Sequence, residues 1–300
     1  MTFQITLTPY IDNLFTVDEL KLCILLFADD AVIFAHSRQA LQSLLNELHT
    51  YCCTWGLTVN TRKTKIMIFE KGRHTSYDIT YNDTGIETVK CFKYLGVTLY
   101  KNGNWYRTQK VIAEHSRFAL HNLSITFNQI ELTTKDKCKL FDTLVGSIFN
   151  YGAEISGYHT CISIENIQCK FLRKLLCVQR STKLECLYGE VGRYPMILHR
   201  KLVMIKFWIT ILKLNNDSLV KKTCNMLKAD TYLGNSYNGL NWTSNIKHIL
   251  DEIGMSNLWI QHNGLDIKFA SIKQRIIDTY TQDWYSAINN SGRLMTYCRK

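Results

Sequence analysis

In the first hundred residues, short apolar runs alternate with polar turns. Leu22, Cys23, Ile24, Leu25, Leu26 and Phe27 form one run; Ala28-Asp29-Asp30 interrupts it, and Ala31, Val32, Ile33 and Phe34 resume it. Six apolar residues are too few for a buried helix, so the pattern predicts a strand, a tight turn and a second strand, with two carboxylates at the hairpin tip. Ser37 can cap the helix that follows, where Leu41, Leu44, Leu45, Leu48, Tyr51, Cys52 and Trp55 recur at helical spacing until Gly56 stops it. Trp55 shares a face with Leu41, Leu44 and Leu48 and is expected in the core. Leu57-Thr58-Val59 and Ile66 to Phe69 read as strands around the polar Asn60 to Lys65 connection. Ile79 to Tyr81 and Ile86 to Val89 read as a hairpin turning at Asn82 to Gly85, and Phe92 to Leu99 as a further strand. The fold class expected is α+β, with residues 1–100 forming an antiparallel sheet that carries at least one packed helix.

The period lengthens after Asn102-Gly103-Asn104. Apolar faces at helical spacing occur at Val111, Ile112, His115, Phe118 and Ala119, then at Cys138, Phe141, Leu144, Val145, Ile148 and Phe149, then at Ile164, Ile167, Phe171, Leu172, Leu175 and Leu176. Another helix starts near Pro195 and runs through Leu202, Val203, Ile205, Phe207 and Trp208. Such stripes must be covered by neighbours, so a small bundle is expected. Residues 213–258 are rich in Asn, Gly and Ser and read as loops with short helices; residues 268–289 again read as helix. Three regions follow from the pattern: 1–100, 101–190 and 191–300.

Charge sharpens this division. Residues 1–100 carry 9 Lys/Arg against 10 Asp/Glu, and residues 101–300 carry 27 against 15, so the whole excess of the +11 chain lies in the helical part. A basic surface of this kind favours a polyanion such as nucleic acid. Buried stripes interleaved with Lys101, Arg107, Lys110, Arg117, Lys135, Lys137, Lys139, Lys170, Arg173, Lys174, Arg180 and Lys183 make a surface that can follow a phosphate backbone. Solvated helix faces are the plain alternative for any one of these cations. The eleven cysteines, odd in number, do not read as a disulfide scaffold: Cys23, Cys52, Cys53, Cys91, Cys138, Cys169 and Cys177 fall in apolar or periodic segments, where a thiol acts as a small hydrophobe. No Cys-x-x-Cys pair suggests zinc. An intracellular protein with no membrane span is expected.

Two aspartates between apolar strands suit divalent-metal chemistry, because carboxylates on rigid strands can hold Mg²⁺ against phosphate oxygens. An Asp-rich turn bonded to its own backbone is the alternative. Three further segments change the weight. Phe27-Ala28-Asp29-Asp30, an amphipathic helix leading to Trp55-Gly56-Leu57 and Asn60-Thr61-Arg62-Lys63-Thr64-Lys65, and then Phe92-Lys93-Tyr94-Leu95-Gly96 together resemble, in order and spacing, the reverse transcriptases of non-LTR (LINE-type) retrotransposons. The resemblance is strong over residues 20–100. It extends more weakly to Tyr151-Gly152-Ala153-Glu154, to Asp283-Trp284-Tyr285, and to the tail Ser291 through Lys300.

That resemblance implies a partial polymerase palm followed by a helical thumb and connection region. It implies an RNA-directed DNA polymerase, a nucleotidyltransferase that extends a primer 3′-OH with dNTPs on an RNA template and holds RNA/DNA hybrid or DNA primer, with Mg²⁺ or Mn²⁺ as cofactor. Asp29 would be the shared metal ligand and Asp30 the less direct carboxylate beside it. Phe27 would shape the floor under the primer end. Asn60 and Lys63 would lie beside the incoming triphosphate, and Tyr94, Leu95 and Gly96 would position the primer. Arg107, Lys110, Arg117, Lys137, Lys170, Arg173 and Lys174 would contact nucleic acid. A two-metal centre also needs a carboxylate from a neighbouring strand. Leu7-Thr8-Pro9-Tyr10 resembles the segment that follows this residue in the family, and neither Asp12 nor Asp18 replaces it; Glu19 is the other acid in this stretch. The expectation is therefore a truncated segment, inactive in isolation. A noncatalytic nucleic-acid-binding module and a non-functional remnant of a retroelement are the alternatives.

Overall fold

A computed structural model describes residues 2–7, 15–17, 20–70, 77–233, 241–260 and 267–291. Thr8, Pro9, Tyr10, Asp12, Asp18, Glu19 and the tail after Ser291 lie outside the described residues. The chain divides into two units, Met1–Thr108 and Gln109–Lys300. The stretches 101–190 and 191–300, distinguished by sequence pattern, fall mostly in the second.

The first unit contains β1 (Thr2–Leu7), β2 (Phe15–Val17), β3 (Leu20–Leu22), β4 (Ile24–Phe27), β5 (Asp30–Ala35), α1 (Arg38–Thr54), β6 (Lys65–Ile68), β7 (Thr80–Tyr81), β8 (Thr84–Gly85), β9 (Thr88–Val89), β10 (Cys91–Tyr94) and β11 (Val97–Tyr100). The main sheet has the order β4-β5-β1-β6-β9. Only β4 and β5 pair antiparallel; β1 runs parallel to both β5 and β6, and β6 parallel to β9. The expected antiparallel sheet is therefore corrected to a mixed, mainly parallel one. The correction comes from β1, whose Thr-Phe-Gln-Ile-Thr-Leu alternation is a strand signal that the sequence reading passed over. Because β1 separates β5 from β6, α1 must cross over it, as parallel connections require. The Ser37 hydroxyl caps α1, accepting from the Ala40 N–H at 3.1 Å. Leu41, Leu45 and Cys52 then pack on Ala31, Ile33, Ala35, Ile66 and Ile68, with Val59, Ile79 and Tyr81 completing this core.

Local chemistry accounts for other departures. Leu57 to Val59 form no strand. Phe92 to Leu99 is not one strand but the hairpin β10–β11, broken at Leu95 (φ 45°) and Gly96 (φ 81°). Two successive positive φ values give a turn whose twist matches the flanking strands. Trp55 is 67% exposed rather than core: helical geometry ends at Thr54, and the Trp55 ring lies 6.2 Å from that of exposed Tyr51.

The second unit is helical. It takes α2 (Trp105–Gln129) from Gln109 onward, then α3 (Thr134–Leu140), a π-helical segment (Phe141–Gly146), α4 (Ser147–Asn150), α5 (Ala153–Ser156), α6 (Ile162–Leu175), α7 (Leu184–Val191), α8 (Met196–Leu212), α9 (Leu219–Leu233), α10 (Trp242–Glu252), α11 (Asn257–Ile260) and α12 (Phe269–Asn289). One core gathers Leu120, Phe141, Val145, Phe149, Phe171 and Leu172, with the Phe141 and Phe171 rings stacked 4.1 Å apart. A second gathers Met204, Trp208, Ile246, Ile249, Trp259 and Ile272. On α2 the buried face is Ile112, Ala113, Ser116, Leu120 and Leu123, so His115 and Phe118, expected inside, point outward. Residues 213–258 hold the long helices α9 and α10 rather than mostly loop. Their Asn content serves as a cap, since the Asn241 side chain accepts from the Ser244 N–H at 2.8 Å. Cys52 and Cys169 are buried as expected, whereas Cys53, Cys91 and Cys177 are exposed. No helix among the described residues is long and apolar enough to cross a membrane.

Candidate functional site

The Asp pair sits where the sheet is least covered. β4 is the outermost strand, and its register pairs Phe27 with Asp30 and Leu26 with Ala31. The two-residue turn places Ala28 at φ 52°, a left-handed conformation that costs a residue with a Cβ roughly 1–2 kcal/mol. Asp29 is exposed in this turn and Asp30 is half-buried at the first position of β5. Ala31, Ile33 and Ala35 face α1, so strand alternation puts Asp30 and its cross-strand partner Phe27 on the opposite face. Phe27 and Leu26 are 62% and 67% exposed.

Tyr94, at the end of β10, lies beside this tip. Burial pushes its phenol pKa up, and the Asp30 carboxylate raises it further. Register pairs Phe27 with Asp30, and the Asp30 carboxylate is felt electrostatically at Tyr94, more than sixty residues on, with Leu95 and Gly96 exposed in the turn after Tyr94. Asn60 and Lys63 are placed differently. The Asn60 side chain and carbonyl both accept from the Lys63 N–H, at 3.2 and 3.1 Å, and the same carbonyl accepts from the Thr64 N–H and hydroxyl. Asn60 therefore shapes the turn into β6, from which the Lys63 side chain is exposed. Among the described residues no hydrogen bond or ion pair joins either residue to the Asp hairpin. Nor, among the described residues, does any group of three or more His, Cys, Asp or Glu side chains converge as metal ligands.

The basic residues of the second region also separate by role. Arg107 lies over the Tyr100 ring, 5.6 Å from its centre. Lys110 and Arg117 are exposed on α2, and Lys170 and Lys174 one turn apart on α6. Lys137 lies over the Phe127 ring at 5.9 Å. Arg173 is half-buried and donates to the Thr182 carbonyl at 3.4 Å, holding the loop after α6.

Tyr151-Gly152-Ala153-Glu154 opens a tightly packed corner. Gly152 adopts φ 71°, and a Cβ on Gly157 would stand 2.5 Å from the Ala153 carbonyl oxygen and 2.6 Å from that of Arg200. Buried Arg200 donates to the Phe149 carbonyl and to Ser156 Oγ, and burial lowers its pKa to about 10. Gln109 donates to the Ser156 and His159 carbonyls, and the Trp242 indole to the Glu154 carbonyl at 2.8 Å. The sequence reading missed Gln109, Gly157 and Arg200. The small residues Gly152, Ala153, Ser156 and Gly157, closely spaced, were the available sign of helices in close approach.

Residues 1–99 match the family model described as Reverse transcriptase (RNA-dependent DNA polymerase), a match over one third of the chain. This stretch is therefore reverse-transcriptase-derived. No curated protein and no solved structure matches the chain.

Proposed function

We propose that the chain is a segment of an RNA-directed DNA polymerase of the LINE-type retrotransposon kind, in which the first unit contributes the hairpin half of the nucleotidyl-transfer centre and the second holds nucleic acid. The observation that supports this reading is the Asp29–Asp30 hairpin, with Phe27 in register with Asp30, within the stretch matched to reverse transcriptases. Asp29 and Asp30 would hold Mg²⁺, which when bound would lower the pKa of a primer hydroxyl and neutralise phosphate charge. Mg²⁺ is commonly held by one or two carboxylates plus substrate phosphates, so the pair fits one ion. A second ion needs acidic oxygens from another strand, and the described residues bring none to the hairpin.

In this reading Phe27, in register with Asp30, and Tyr94 offer apolar surface for the terminal primer nucleotide. Leu95 and Gly96 present the turn that limits its movement, and Lys63 faces the triphosphate. Primer extension on an RNA template with dNTPs and Mg²⁺ tests the chemistry. The expected result is no extension that depends on Asp29, whereas product lost in Asp29→Ala would show a complete centre in this chain. The cationic helix faces of the second unit also favour a second reading, a noncatalytic nucleic-acid-binding module. Both readings require affinity for an RNA–DNA hybrid that falls linearly on a log–log plot against salt. Binding that ignores salt would remove nucleic acid from either.

A further inference from the structure

A groove in the second unit combines the chemistry for holding an unpaired nucleotide. Leu120, Ser124, Phe127 and Asn128 lie on one stripe of α2, at offsets of four, seven and eight. They face Phe171 and Leu175 of α6 across a cavity of about 350 Å³. The floor is apolar and aromatic. The rim is cationic: Lys170 and Lys174 stand one turn apart on α6, and Lys137 enters from α3. None of the three forms an ion pair with a described residue, and the cavity lining includes no acid. A second cavity of about 590 Å³ adjoins the first, sharing Phe127, Asn128 and Lys137.

We infer that this α2–α3–α6 groove binds single-stranded nucleic acid, seating an unpaired base against the part-buried side chains of Phe127 and Leu175 and its phosphates on Lys137, Lys170 and Lys174. The inference rests on the nucleic-acid reading above and narrows it to one strand state and one place. A cleft between helices with an apolar floor admits the flat face of a splayed base, which a duplex keeps stacked inside. Cations on the rim alone would serve any anion; combined with the apolar floor they favour a ligand that alternates flat apolar groups with phosphates. The Asn128 amide at the junction can donate to and accept from a base edge. The adjoining cavity gives the strand room for a following nucleotide, with Glu131 in its lining setting a boundary to the cationic track.

Exposed Cys177 lines the groove and provides a reporter, while exposed Cys91 in the first unit serves as control. The full chain is titrated with a uridine oligomer of about ten nucleotides and, separately, with a blunt RNA–DNA hybrid of the same length. Alkylation of both cysteines is followed by peptide mass spectrometry. The single strand is expected to slow alkylation at Cys177 but not at Cys91. The double variant Lys170→Gln and Lys174→Gln, confined to exposed side chains, should weaken single-strand binding about tenfold near 0.1 M salt and hybrid binding much less. Equal weakening for both ligands with no shielding of Cys177 overturns the groove assignment and leaves the general nucleic-acid reading intact. Failure of both ligands to bind overturns both. Shielding of Cys177 by polyglutamate but not by the oligomer assigns the groove to an acidic protein and overturns the inference.

Discussion

The two units put their recognisable motifs to opposite structural uses. In the first, Phe27-Ala28-Asp29-Asp30 occupies the outermost, least covered part of the sheet, with apolar side chains in solvent and backbone strain at Ala28. In the second, Tyr151-Gly152-Ala153-Glu154 opens a corner where helices touch backbone to backbone and buried polar groups of Gln109 and Arg200 find carbonyl partners. Strain and exposed apolar surface at a motif signal surface kept available for contact. Dense packing at a motif signals that it holds the fold. The first motif is thus exposed surface and the second is packed architecture, although both are short strings of similar length in the sequence.

The sharpest way to break this contrast is at Gly157. Gly157→Ala places a methyl group against two backbone oxygens that cannot rotate away, and α5 and α8 must part. A loss of about 3 kcal/mol is expected, at the upper end for overpacking, with hydrogen exchange accelerated in residues 149–208 and unchanged around β5. A stability within error of the parent would show that the corner is not packed as described.

The next effect is a pH dependence in the second unit. Glu165 accepts from the Tyr188 hydroxyl and from the Met196 N–H at the start of α8. Burial nevertheless raises its carboxyl pKa, with those hydrogen bonds opposing the rise. The folded state therefore holds this proton more tightly than the unfolded chain does, and the contribution to stability falls as pH climbs from the ordinary glutamate range through the raised value. Glu165→Gln should flatten that part of the curve in urea denaturation at stepped pH. A variant with the parental slope would locate the dependence elsewhere.

The smallest effect on folding is expected at the first motif. Leu26→Ser and Phe27→Ser change side chains already in solvent, so stability should stay within about 0.5 kcal/mol of the parent. Self-association measured by light scattering should nevertheless decrease, because β4, paired among the described residues with β5 alone, presents an apolar sheet edge. A large destabilisation would mean that these residues belong to a core, and would erase the distinction between the two motifs.

Local signals were legible where chemistry is local. The Asp hairpin, the Ser37 cap, the helix after Pro195 and the helix at 268–289 could all be read from spacing and caps. Parallel pairing could not, because no local pattern states that β1 lies between strands that follow it by about thirty and sixty residues. The orientation of α2 was misread for a similar reason: Phe118 and Ala113 compete for the core, and only the neighbouring helices decide in favour of the smaller residue. At the candidate site, the closeness of Tyr94 to Asp30 was implied by family resemblance, whereas the turn-building role of Asn60 and the clamp made by Arg200 emerge from hydrogen bonds that no spacing rule reports.

The central place of β1 carries a consequence for the order of folding. Residues 2–7 are synthesised before both of their pairing partners, which are complete only when residue 68 has been made. The β4–β5 hairpin and α1 can form early from nearby chain. The sheet closes last, when β1 slots between them and β6, so assembly of this unit is governed by a long-range event and should be slow for its size.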